Sequence, residues 1–463
     1  MFGRSPIRLV IKAHDIVLRT TSGLDARATE YAIKFRLYNL ATPPCLLSRT
    51  AADDLFGSGY GRLDFPMLRL LIPFSFVQSL ATILLERGLY FYTRDQLGFG
   101  DTANLALAFG FGATYALGAI CSSAVTARRG ERPALSAALA GLALLCLTLA
   151  LMPRPTIVTA CYVGIGFLIG LKWPIIESYV TAGVLPDRVL RVLGHFNVAW
   201  SAAIPLGLAL TGVMIQRLSP TSFVLLAAVI YVLSLPVVRR LPWVPPRLEH
   251  DHPARPDAAK IACYRPLMRS ARWIMFGGCC MAFLLAPLMP RLFADFGYGV
   301  GWSPALSSVM DLGRFGAFLF LGAWTAWRGR RLPLAVAAVG LPAGFLMVLF
   351  APNTTTAILG QAVFGLCAGQ GYFAALYHAM VLENASVQAG GHHESLIGLG
   401  FALGPAVGLL GVSASRATGD PTSGMLLAVA PFLVVCLAAS LWPLRGPRPR
   451  GPAARITELS TGG

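Results

Sequence analysis

The stretch WRGRRLP, residues 327 to 333, sets three arginines and a tryptophan between two long apolar runs. The chain around it is 56% hydrophobic and only 13% charged, with a mean hydropathy of +0.64. A soluble surface usually needs about a quarter of its residues charged, so this composition places the chain in a membrane. A net charge of +17 could also suggest nucleic acid. Nucleic-acid binders, however, cluster Lys and Arg on a solvated face, whereas here the arginines fall in short breaks between apolar runs, as in a multi-spanning protein. No nucleic-acid partner is expected, and the bilayer is.

Crossing about 30 Å of hydrocarbon takes about 20 apolar residues. Twelve runs qualify: 68 to 92, 103 to 125, 134 to 152, 156 to 184, 192 to 215, 221 to 238, 273 to 294, 303 to 326, 333 to 351, 355 to 381, 394 to 414 and 424 to 443. They lack the alternating polarity of barrel strands and satisfy their own backbone as helices, so the expected fold class is all-α, with twelve transmembrane helices. Residues 239 to 272, rich in Pro and charge, divide six runs from six and read as a linker between a 67 to 238 bundle and a 273 to 443 bundle. Residues 1 to 66 are polar, carry nine Lys/Arg and lack the apolar core of a secretory signal. They read as a disordered extension, or as sequence upstream of a true start at Met67, with an organelle-targeting segment as the sharper alternative. Residues 444 to 463 read as a tail.

Orientation follows from the basic residues. If the break at 126 to 133 is cytoplasmic, about 20 Lys/Arg fall in cytoplasmic breaks and the C-terminal tail, against Arg94, Arg154, Arg217, Arg291 and Arg416 outside. Both termini are then cytoplasmic, and the expected location is a bacterial inner membrane, as a monomer.

WRGRRLP has a counterpart in RRGERP, residues 128 to 133, between the second and third runs. Gly130 and Gly329 are 199 positions apart; Gly164 and Gly170 stand 201 before Gly365 and Gly371; Gly194 stands 204 before Gly398. Nearly constant offsets in the same order imply two related six-helix halves.

At this point the residues resemble a known family. The second copy, Gly322, Ala326, Trp327, Gly329, Arg330 and Arg331, is similar to the G-x-x-x-D-R-x-G-R-R loop of the major facilitator superfamily, with Ala326 in place of the Asp and Trp327 in place of the first Arg. The first copy reads Ser123, Ala127, Arg128, Gly130, Glu131 and Arg132. The resemblance covers roughly residues 67 to 443. It implies two pseudo-symmetric six-helix bundles, secondary transport by alternating access, and loops (Arg128, Gly130, Arg132, Gly329, Arg330, Arg331) that latch one state. Ala127 and Ala326, at the family's Asp positions, count against that latch. Gly permits the tight reversal, while the arginines sit among headgroups and anchor the topology in any case.

Ionisable groups within hydrocarbon cost at least about 2.5 kcal/mol each, so those that persist mark a candidate site. Glu86 and Arg87 in ILLERGLYFY resemble in part the ERF-type motif of proton-coupled oligopeptide transporters, together with Tyr90. Ile83 and Gly88 depart from that motif, so peptides are not implied. The other account is a pair that snorkels to the outer interface. Lys172, Trp173 and Glu177 lie in GLKWPIIESY, where Pro174 should kink the helix; they form either a binding element or a structural ion pair. Asp311 and Arg314, three apart, share a helix face. His378, 201 after Glu177, is a proton carrier or a packing residue. Tyr372, Gln370, Gln361, Asn197, Trp200 and Ser201 are candidate cavity lining or packing residues. GHHESLIGLGFALGP, residues 391 to 405, resembles the cytoplasmic mouth of the family's eleventh helix, which implies an inner gate at His393 and Glu394; a solvated helix start is the blander account.

The expected function is transport, inward or outward, of a small solute, amphipathic, zwitterionic or drug-like, with protons carried by Glu86, Glu177 or Asp311. A transporter-shaped receptor or scaffold is the alternative. An enzyme is not expected: HExxH and GxSxG are absent, and an ATP-driven pump would need GxxxxGK[ST]. No cofactor is expected. Nor is a metal site: the nine cysteines lie mostly within apolar runs, none in a C-x-x-C spacing, and HHESL lacks the second His of a zincin.

Overall fold

The computed structural model describes residues 66 to 181, 183, 184, 188 to 245, 258 to 382 and 387 to 445. All but the last residue of the 1 to 66 extension, most of the C-terminal tail and the middle of the linker lie outside the described residues. Within them the chain is helical throughout: α1 Pro66–Glu86, α2 Gly88–Leu97, α3 Asp101–Arg129, α4 Glu131–Leu151, α5 Pro155–Thr181, α6 Val189–Arg217, α7 Ser222–Val238, α8 Ala258–Leu285, α9 Met289–Asp295, α10 Ser303–Ser307, α11 Val309–Ala323, α12 Leu332–Leu349, α13 Thr354–Leu382, α14 Val387–Thr418 and α15 Pro421–Leu441.

Each of the twelve apolar runs is occupied by helix, but not every one is a straight span. Among the described residues nine segments are long and apolar enough to cross a membrane, and α8 with α9, bent by 53°, supplies a tenth if the pair is one span. The first run breaks at Arg87 and the eighth at Ser308. The seventh begins at Ala258, inside the stretch read as linker, because 258 to 272 continues the helix at its polar end. Pro174 does not interrupt α5.

The repeat is sharper in the structure than in the sequence. An offset of 199 carries the end of α1 at Glu86 onto the end of α8 at Leu285, and the start of α5 at Pro155 onto the start of α13 at Thr354. Small residues make the same contacts in both halves. A Cβ on Gly166 or Gly170 would strike the carbonyls of Phe111 and Tyr115 on α3; one on Gly365 or Gly369 would strike Met310 and Arg314 on α11. All these pairs are 199 apart, so the 201 offset, which set Gly164 against Gly365 and Gly170 against Gly371, and the 204 offset, which set Gly194 against Gly398, are wrong by two and five positions. In the corrected register Tyr179, not Glu177, stands opposite His378.

The two halves meet along α3 against α14 and α6 against α11. Gly112 packs on the backbone of Phe401 and Gly398 on that of Ala116, both at mid-height. Toward the end that carries Gly130 and Gly329, Gly390 faces Pro174 and Gly194 faces Gly322. At the opposite end Gly212 meets Gly301, while Arg291 bonds Asp101 at 2.6 Å and Arg416 bonds Thr102 at 3.2 Å.

Candidate functional site

Between the halves, with cross-half contacts on either side of it, lies a cavity of about 120 Å3. Glu86 and Thr82 of α1, Tyr115 of α3, Trp173 of α5 and Trp200 of α6 form one wall; Phe283 of α8, Asp311 and Arg314 of α11, Tyr372 of α13 and Glu394 and Phe401 of α14 form the other. The wall is mostly apolar, with eight aromatic side chains in it, and its charged residues belong to two clusters, the second of which reaches the cavity through Glu394.

The first cluster sits where α1 breaks. Arg87 ties to Asp311 across the halves and donates to the Ser307 carbonyl at 3.0 Å. The other oxygen of Asp311 accepts from Arg314 at 2.6 Å, so one carboxylate serves two guanidiniums. Arg314 in turn lies over the Trp200 ring at 5.1 Å, a cation–π contact. The Asp311–Arg314 pair expected from spacing is thus present. Arg87, by contrast, is 6% exposed and paired across the cavity rather than snorkelling outward. Its neighbour Glu86 lines the cavity, and its carboxylate has no ion-pair partner among the described residues.

The second cluster lies toward the Gly130 and Gly329 end. Tyr115 donates its hydroxyl hydrogen bond to Glu394. One ligand-type atom each of Glu177, His393 and Glu394 lies within 4.8 Å of the others, all buried. Tyr372 packs edge-on against His393 at 5.1 Å.

Other sequence candidates stand outside the cavity. Lys172 is fully buried one layer behind it, donating to Thr82 at 2.9 Å and Gln78 at 3.2 Å between the rings of Trp173 and Tyr231. It therefore makes no ion pair with Glu177, which points to α14 instead. Asn197 accepts from Trp200 at 2.9 Å and so orients that indole. His378 bonds the Ala374 carbonyl at 2.6 Å and packs against Tyr264, Tyr377 and Trp327. This is a packing geometry.

The loops repeat each other as well. Gly130 has φ +82° and Gly329 φ +70°, left-handed turns that an L side chain would strain. Arg132 reaches the Leu241 carbonyl at 3.3 Å and the Trp243 ring at 4.9 Å; Arg331, 199 later, reaches the Leu444 carbonyl at 2.9 Å. Each arginine thus closes onto the segment just beyond the C-terminal end of the last long helix of its own half, where a cation is favoured. Arg128 is exposed and Arg330 half-buried.

The family model described as Major Facilitator Superfamily matches residues 71–392. The chain belongs to the major facilitator superfamily. Solved structures agree on its fold: a nucleoside transporter, NupG, at 14% identity and TM-score 0.59, covering 82% of this chain and 100% of its own; a bacterial homologue of the human lysosomal transporter Spinster, in an inward-facing unoccupied conformation, at 14% and 0.59, covering 83% and 98%; and the human organic anion transporter MFSD10, at 15% and 0.57, covering 81% and 100%. Comparison with curated proteins gives no match. Against this superfamily fold, sequence reasoning missed Tyr115, Phe283 and Phe401, the last two stacked with ring centres 3.5 Å apart. The 199 register holds the signal that could have found Tyr115, because it pairs Tyr115 with Arg314 and Trp173 with Tyr372, and all four line the cavity.

Proposed function

We propose that the chain is a secondary active transporter that moves a small amphipathic solute by alternating access and couples the movement to protons. The carrying observation is the cavity itself: both halves contribute to it, its walls are mostly apolar with aromatic side chains from both halves, and Glu86 is an unpaired acid in contact with it. A bare carboxylate is costly to move past apolar surface, and a bound proton or a cationic group on the solute removes that cost. Arg87, Asp311 and Arg314 form the polar floor on which an anionic or hydrogen-bonding part of the solute would rest. Lys172 acts at one remove, by fixing Thr82. The orientation set by the Lys/Arg distribution puts the Gly130 and Gly329 end in the cytoplasm of the cell that holds it in its membrane, and the protein works as a monomer.

Proteoliposome uptake under an imposed pH gradient tests this reading, with solutes first selected by thermal-shift screening of the purified protein. Glu86→Gln should abolish gradient-driven accumulation by at least about tenfold while solute exchange persists. A protein that moves no thermal-shift hit in either direction is a receptor or scaffold, not a transporter.

A further inference from the structure

Glu177 on α5 and His393 and Glu394 on α14 form the one group of metal-type side chains among the described residues whose ligand atoms converge. All three side chains are more than nine-tenths buried, at 2%, 0% and 3% exposure. Both carboxylate oxygens of Glu177 and both ring nitrogens of His393 are without a hydrogen-bond partner. Two carboxylates buried this close need positive charge between them, supplied by a shared proton or by a cation. A shared proton would make a Glu177–Glu394 hydrogen bond, but it would leave both nitrogens of His393 unsatisfied.

From this convergence of two carboxylates and one imidazole on a buried point between the halves, we propose that Glu177, His393 and Glu394 bind a divalent transition-metal cation. Two carboxylates cancel the charge of a divalent ion, so the filled site carries no net charge in its buried position. The imidazole favours zinc-like ions over Mg2+ or Ca2+, which prefer all-oxygen shells. Two ligands held at about 2.1 Å from one ion lie at most about 4.2 Å apart, so the widest pair has to close by roughly 0.6 Å from the 4.8 Å limit. Tyr115, bonded to Glu394, is the orienting partner that metal-bound carboxylates usually have. All three residues stand out in the sequence, but not as ligands of one ion, because Glu177 joins the HHE triplet only through the packing of α5 on α14.

The ligands come from opposite halves at the Gly130 and Gly329 end, so a bound ion bridges them and holds that end shut. This consequence rests on the alternating-access reading; binding itself does not.

The test is binding of Zn2+ and of Co2+ to the purified full-length protein in detergent, by calorimetry and by the visible d–d absorption of Co2+. One equivalent should bind, with Mg2+ and Ca2+ failing to compete. Glu177→Gln, His393→Gln and Glu394→Gln should each weaken it by roughly 100-fold, and Tyr115→Phe by about tenfold. Folding of the variants is checked by melting without metal, where Glu177→Gln should be at least as stable as the parent. Absence of Zn2+ binding by the parent, or affinity and Co2+ spectrum unchanged in folded variants, overturns the proposal and leaves the two glutamates sharing a proton. If Zn2+ binds as expected but leaves transport unaltered, the site stands and the gating consequence fails.

Discussion

Asp311 is the residue on which most of the cavity's charge turns. Buried to 2% exposure, it answers two arginines from two halves of the molecule. Removing one partner of a buried pair strands charge and typically costs about 3 to 5 kcal/mol, whereas replacing both partners by apolar residues costs far less. Asp311→Asn should therefore destabilise the detergent-solubilised protein by about 3 to 5 kcal/mol. The double change Arg87→Met with Asp311→Leu should recover most of the loss, since Arg314 keeps a quarter of its side chain exposed. Chemical denaturation of the three proteins checks the order; equal losses in single and double variants would speak against the pairing. The sequence made part of this visible: a three-residue spacing put Arg314 beside Asp311, but no local pattern could bring Arg87 there from 224 positions away.

At the scale of the element, helix ends and helix faces carry the information. Asp420 caps α15, accepting from the backbone of Ser423 at 2.9 Å and of Thr422 at 3.2 Å. These hydrogen bonds, that of Ser423 foremost, hold its carboxyl below the usual aspartate range. A depressed folded pKa means that the contribution is present above the unfolded value and is lost as pH falls through the folded one. Asp420→Asn should thus lower the melting temperature at neutral pH, and the gap should narrow in acid below about pH 4; a gap independent of pH would contradict the cap. On the faces, Gly170 and Gly365 each abut backbone that cannot yield. Alanine there should cost about 1 to 3 kcal/mol, while Gly164, facing the flexible Leu145, and Gly316, with nothing within 4 Å, should tolerate it. The pattern separates a 199 register from a 201 register. Glycine counting misses this because spanning helices use glycine for many contacts, and only coordinates show which carbonyl each one meets.

At the scale of the molecule, class and halves were legible because a bilayer demands long apolar helices and leaves basic residues in the breaks. The Arg87 break was not, since GLYFY after it continues an apolar pattern. The site was half legible. Glu86, Asp311, Arg314, Tyr372 and Glu394 do meet at the cavity, while Lys172, Asn197 and His378 make their hydrogen bonds elsewhere, to Thr82, Trp200 and the Ala374 carbonyl. The contacts on either side of the cavity, Gly194 with Gly322 and Gly212 with Gly301, cannot all persist if solute is to enter and leave. Spin-label pairs on exposed positions, Ala127 with Leu332 at the Gly130 end and Met152 with Asn353 at the other, would report both ends by pulsed electron resonance in nanodiscs across pH and added solute. Under alternating access one distance lengthens as the other shortens. Two distances that stay fixed under every condition, or that lengthen together, would contradict it.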